Sequence, residues 1–109
     1  MRLHLGEFEE IVLLLVAVHY GDAYGLTIAN SIEEKLKRRV TLSSVHTALY
    51  RLEEKGFLES EIGGATGQRG GRRKRLFKIT TLGKEALEAA RASRELLWNM
   101  IPGISFEGL

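Results

Sequence analysis

Thr41-Leu42-Ser43-Ser44-Val45-His46-Thr47-Ala48-Leu49-Tyr50-Arg51-Leu52-Glu53-Glu54-Lys55-Gly56 is the stretch on which the fold turns. Its apolar residues Val45, Ala48, Leu49 and Leu52 fall at i, i+3, i+4 and i+7, which is one face of a helix and no more. Thr41 or Ser43 can cap its start by accepting a backbone N–H bond. Gly56 stands where a left-handed closing residue is usual. The opposite face carries Ser43, Ser44, His46, Thr47, Tyr50 and Arg51, all able to hydrogen-bond, with no acid before Glu53 and Glu54. A helix apolar on one side presents its other side to solvent or to a partner.

Downstream the pattern changes to a hairpin. Phe57, Leu58 and Ile62 build one strand and Leu76, Phe77 and Ile79 lie in the other, with a glycine-rich loop from Gly63 to Gly71 between them. This segment also concentrates the charge. Between Glu61 and Thr80 the basic residues Arg69, Arg72, Arg73, Lys74, Arg75 and Lys78 face the single acid Glu61, a balance of +5 in a chain whose net charge is +2. The other 89 residues therefore sum to −3. An acidic body with one basic segment suits a partner that is densely negative at one place. Strand alternation sends neighbouring side chains to opposite faces, so the basic residues cannot all meet one surface. Arg69, Arg72 and Lys74 are expected at the tip and one face, with Arg73 beside them.

Upstream, Gly6 to Tyr20 reads as a helix. Phe8, Ile11, Val12, Leu14, Leu15, Val16 and Val18 cover most of its circumference, which predicts burial on nearly all sides. A second helix over Tyr24 to Lys37 has an apolar stripe of Leu26, Ile28, Ala29, Ile32 and Leu36, and Val40-Thr41-Leu42 reads as a short extended piece. Past the hairpin, Thr80 or Thr81 caps a long helix that runs to about Met100 and is stopped by Pro102 and Gly103. The tail from Pro102 to Leu109 has no readable structure. The order is helix, helix, short strand, helix, hairpin, long helix: a winged helix, mainly α with a small β part (α+β). Residues 1–80 form the winged-helix unit, 81–101 a final helix of the same compact body, and 102–109 a tail. In such folds the third helix enters the DNA major groove while the hairpin, or wing, reaches backbone or minor groove.

Composition narrows the function classes. With 109 residues a single core is expected. There is no cysteine, hence no disulfide or thiolate metal site. The apolar run Ile11–Val18 is too short for a bilayer, which needs about 20 residues. Acidic Glu7, Glu9 and Glu10 argue against a signal peptide, so a cytoplasmic protein with no membrane partner is expected. His4, His19 and His46 lie on different elements without metal-ligand spacing, His19 at a helix end. The glycine loop does not match the phosphate-binding G-x-x-x-x-G-K-[ST], and no serine or acid sits in a nucleophile setting. Neither an enzyme, nor a metal, nor a cofactor is expected.

Several ordered segments resemble one family. Leu5-Gly6-Glu7-Phe8-Glu9 leading into an apolar helix, then Asp22-Ala23-Tyr24-Gly25, is similar to the start of PadR-like transcriptional regulators. Val45 to Gly56 resembles their recognition helix. Arg69-Gly70-Gly71-Arg72-Arg73-Lys74-Arg75 with Phe77 and Thr80 resembles their wing and second strand, and Gly83 fits the start of their last helix. The resemblance spans roughly Leu5 to Met100. The family usually has tyrosine where this chain has His46, often a smaller residue at Ser43, and commonly tyrosine at Leu76. Its sequence preference therefore does not transfer with its binding mode.

The resemblance implies a homodimer in which the last helix pairs with the first helix of a second subunit, through Phe8, Leu87, Ala90, Leu97, Trp98 and Ile101. It implies double-stranded DNA as partner, read at a palindromic operator by Ser43, Ser44, His46, Thr47, Tyr50 and Arg51 with wing residues Arg69, Arg72, Arg73 and Lys74, and repression as the outcome. Many relatives carry a larger C-terminal helical domain, and this chain reads as a short form. Trp98 in a dimer groove could stack on a planar aromatic effector. The contrasting reading is a winged helix used for protein–protein or RNA contact without operator binding.

Overall fold

The computed structural model describes residues 4–63 and 74–109; the expectations for Arg69, Arg72 and Arg73 lie outside the described residues. The elements run α1 (Glu7–Val18), α2 (Gly25–Leu36), α3 (Leu42–Glu54), β1 (Leu58–Gly63), β2 (Lys74–Ile79), α4 (Thr81–Met100) and a 3-10 turn at Gly103–Phe106. This is the winged-helix arrangement.

Local chemistry sets the element ends. Glu7, Glu9 and Glu10 occupy the positive end of α1, and Glu9 Oε1 accepts from the Gly6 N–H at 3.4 Å. Thr41 Oγ1 accepts from the Ser44 N–H at 3.0 Å and so caps α3. Gly56, at φ +83°, ends that helix as its spacing predicted. Thr80 caps α4 by accepting from the Gly83 N–H at 3.0 Å, while its hydroxyl donates to the Gly56 carbonyl at 2.6 Å. One residue thus closes α3 and opens α4.

The three short helices pack their apolar stripes together. Val12, Leu13 and Val16 of α1, Ile28 and Ile32 of α2, and Val45, Leu49 and Leu52 of α3 are all buried. Phe57, Leu58 and Phe77 close the core from the hairpin side. β1 and β2 pair antiparallel from Leu58↔Ile79 to Gly63↔Lys74. The Phe77 N–H donates to the Ala23 carbonyl at 3.0 Å, so the loop before α2 lies along the free edge of β2. Gly83 brings α4 against the hairpin, where a Cβ would collide with the Phe57 carbonyl oxygen.

Four expectations are corrected. Val40–Leu42 is not a strand: Thr41 is extended only as the cap, and Leu42 is the first residue of α3. Helix α1 is not buried all round, since Leu14 is 45% and Val18 65% exposed; α4 covers only part of it. Leu26 and Leu36, counted in the stripe of α2, are exposed: Leu26 sits off the line that Ile28 and Ile32 define, and Leu36 continues that line but is the last residue of the helix. The tail forms a 3-10 turn that brings the Phe106 ring within 6.5 Å of Trp98. No described helix is long and apolar enough to cross a membrane.

Glu9 ties α1 to the end of α3. Its carboxylate lies 2.6 Å from Lys55 Nζ, which also donates to the His4 carbonyl at 3.3 Å. Partial burial pushes the Glu9 pKa up, but the Lys55 hydrogen bond, the Gly6 N–H and the charges of Lys55 and Arg51 outweigh it, so the pKa is lowered. A depressed folded-state pKa gives stability that is complete above the unfolded value of about 4.3 and lost as pH falls through the folded value. Lys55 is partly exposed, so the contribution is on the order of 1 kcal/mol. Glu9→Gln should therefore be less stable than the parent at pH 7, and the gap should narrow as pH falls below the unfolded carboxylate range, as measured by urea midpoints.

Candidate nucleic-acid interface

The buried stripe of α3 determines what its far side presents. Ser43, Ser44, Thr47, Tyr50 and Arg51 are exposed, as their helical positions predict. Two hydroxyls are already oriented by the backbone: Ser44 Oγ donates to the Thr41 carbonyl at 2.8 Å, and Thr47 Oγ1 to the Ser43 carbonyl at 3.0 Å. Each keeps its acceptor lone pairs for an incoming donor. The rest of the face is divided into two edges. Ser44 and Arg51 border α1, whereas His46 and Tyr50 border the hairpin.

His46 is the exception to the expected free face. It is half-buried, with its ring against Gly25 at the start of α2, where any side chain at position 25 would collide with it. Tyr50 stands 6.2 Å from His46 and meets Phe77 edge-on at 6.1 Å. The hairpin is joined to the same edge by polar bonds. Arg75 Nη1 donates to Ser60 Oγ at 2.9 Å, and that hydroxyl donates to Glu53 Oε2 at 2.6 Å. Arg75 is thereby held by the body, whereas Lys74 is exposed and sits 5.3 Å from the Tyr24 ring. A polar outward face, an exposed lysine and the base of the hairpin lie side by side.

The model of the Transcriptional regulator PadR-like family matches residues 13–89, which include α2, α3 and the hairpin. The chain belongs to this family. Solved structures agree in fold. A PadR-like transcription factor from Bacteroides fragilis is 24% identical with a TM-score of 0.71, covering 84% of each chain. A PadR family transcription regulator from Clostridium difficile R20291 is 27% identical with a TM-score of 0.64, covering 82% of this chain and 91% of that one. Bacillus subtilis PadR, solved in complex with operator DNA, is 22% identical with a TM-score of 0.65, covering 77% of this chain and 46% of that one. No curated relative matches the sequence. The family and these neighbours are transcriptional regulators, not enzymes. No group of three or more His, Asp or Glu among the described residues is placed to hold a metal ion.

A second surface of this PadR-like chain lies on α4. Leu87 and Ala90 are half-buried, whereas Leu97 is 62%, Trp98 66% and Ile101 36% exposed. A groove of about 410 Å3 runs between α1 and α4, with Leu14, Leu87 and Trp98 along it. Arg94 Nη2 crosses to Glu10 Oε1 at 2.8 Å and links the two helices. Phe8 stands apart from this group. It is half-buried beneath Arg38, which is 5.3 Å from its ring and paired with Glu7 at 2.9 Å, and it borders a groove with Thr41 and Ser44.

Sequence reasoning passed over Leu42, Leu26 and Ile62, which are exposed beside His46 and Tyr50. The signal was available for Leu42, since Leu42, His46 and Tyr50 repeat at i, i+4 and i+8 along one edge of α3. Gly25→Ala is expected to displace His46 and lower stability by about 1–3 kcal/mol, the usual cost of overpacking. Adding His46→Ala should recover part of that loss, a non-additivity that denaturation of the single and double variants measures.

Proposed function

We propose that the protein binds operator DNA as a two-fold homodimer and represses transcription by covering a promoter, working in the cytoplasm where bacterial-type DNA lies. The observation that carries this reading is the outward face of α3, Ser43, Thr47 and Tyr50 flanked by Ser44, His46 and Arg51, which meets no acid before the last turn of the helix and lies next to Lys74 on the hairpin. The hydroxyls, imidazole and guanidinium suit phosphates and base edges. The Bacillus subtilis relative, solved with operator DNA, supports the same binding mode here. Arg69, Arg72 and Arg73 stand in the sequence between β1 and β2, and we assign them with Lys74 to the DNA backbone or a narrow minor groove, where arginine reads width and potential.

Exposed Leu97, Trp98 and Ile101, together with the uncovered Leu14 and Val18 of α1, support pairing of α4 with the partner's α1. We place Leu87 and Ala90 in the same interface, whereas Phe8 lies under Arg38 on another side of α1. Two-fold pairing sets the recognition helices about 34 Å apart, one turn of DNA, and calls for a palindromic site. The Trp98 ring on the groove supports a planar aromatic effector as a further ligand.

Selection from a random duplex pool followed by footprinting tests the reading, and should return a symmetric site. The logarithm of affinity should fall with that of salt by about 0.9 for each phosphate neutralised. Alanine at Arg69, Arg72 and Lys74 together should weaken binding to all sequences and flatten that slope, whereas Thr47→Ala or Tyr50→Ala should shift preference between sequences. Equal affinity of the triple variant and the parent would remove the wing from the interface, and binding of RNA or protein but not duplex DNA would select the contrasting winged-helix reading. Leu97→Glu, which touches no core residue, should halve the mass in sedimentation and weaken operator binding by at least tenfold.

A further inference from the structure

Two clusters of exposed apolar side chains mark the described surface. One, at the end of α4, is assigned above to a second copy. The other surrounds a hollow of about 480 Å3 between the start of α2, α3 and β2, bordered by Leu26, Leu42, His46, Tyr50, Ile62 and Lys74. Leu42 is 43%, Tyr50 47%, Ile62 52% and Leu26 55% exposed. Singly such residues need no explanation; clustered, they mark a contact.

Charge and shape select the occupant. Exposed Lys74 lines the same hollow, so the matching surface is negative. Leu42, His46 and Tyr50 follow one edge of a helix, so the matching surface also offers apolar groups along a groove that admits a helix. The DNA major groove has both: phosphates along its rims and, within it, the C5-methyl of thymine. Leucine has no hydrogen bond to give, and Leu42 gains only from an apolar group. We infer that the Leu42 edge of α3 reads thymine methyl groups, with Tyr50 as the second contact. This inference rests on the operator-binding reading and adds the base that this edge selects.

One buried methyl is worth about fourfold in affinity. The test uses the full chain and the duplex recovered by selection, with each thymine exchanged in turn for uracil, which removes the methyl and keeps every hydrogen-bonding group. One or two positions in each half-site should lose about three- to fivefold, and the others nothing. Leu42→Ala should bind the thymine and uracil duplexes alike, Leu42→Met should keep the discrimination, and Thr47→Ala should weaken both duplexes without changing their ratio. Leu42 lies outside the core, and circular dichroism of its variants should match that of the parent. Tight binding that is indifferent to every uracil overturns the inference while leaving operator binding in place; failure to bind the thymine duplex at all overturns the reading beneath it. Discrimination that survives both Leu42→Ala and Tyr50→Ala also overturns it, as does a Leu42→Ala variant that alters sedimentation alone and so gives the hollow to a second copy.

Discussion

Burial of Val45, Ala48, Leu49 and Leu52 is the contact from which the rest of the molecule takes its orientation. None of the four is more than 5% exposed. Burying a large aliphatic side chain contributes about 1.5–3 kcal/mol, so rotating α3 by one residue would forfeit much of the core and bury hydroxyls in exchange. The rotation of the helix about its own axis is thereby determined, and with it the identity of every outward residue. The outward face is defined by what is taken away from water on the other side.

The hairpin is registered to that helix by bonds of two kinds. Main-chain bonds hold its base: the Phe57 N–H to the Leu52 carbonyl of α3, and the Phe77 N–H to the Ala23 carbonyl before α2. Side chains complete the joint, with Arg75, Ser60 and Glu53 bonded in sequence from strand to helix. Glu53 is the first acid along the outer side of α3, and its charge is turned toward Arg75 and away from the surface that a polyanion would meet. Ser60 holds the arginine and the acid together, and Lys74 remains exposed at the base of the wing.

What was legible in the sequence was local. The stripe of α3, the caps at Thr41 and Thr80 and the stop at Gly56 depend on neighbours a few positions away, and periodicity with capping chemistry predicts them. What was not legible depended on neighbours far along the chain. Periodicity made α1 apolar on most sides, yet it could not say that α4 would leave Leu14 and Val18 uncovered. The free face of α3 was expected to include His46, but a glycine twenty-one positions earlier lets that ring settle against α2. Extended backbone at Thr41 read as a strand because a helix cap and a strand residue share the same dihedral region. The family was legible from ordered fragments, none of them decisive alone, and the family match over residues 13–89 bears it out.

The joints between wing and helices have an evolutionary consequence. Amide-to-carbonyl links at Ala23 and Phe57 are indifferent to side-chain identity, and positions 43, 47 and 50 contribute little to the core. Mutations at those outward positions can accumulate without unfolding the scaffold. On the proposed operator-binding reading, a duplicated gene of this kind acquires a new target by a handful of neutral steps, because the residues that hold the outward face in place are not the residues on it.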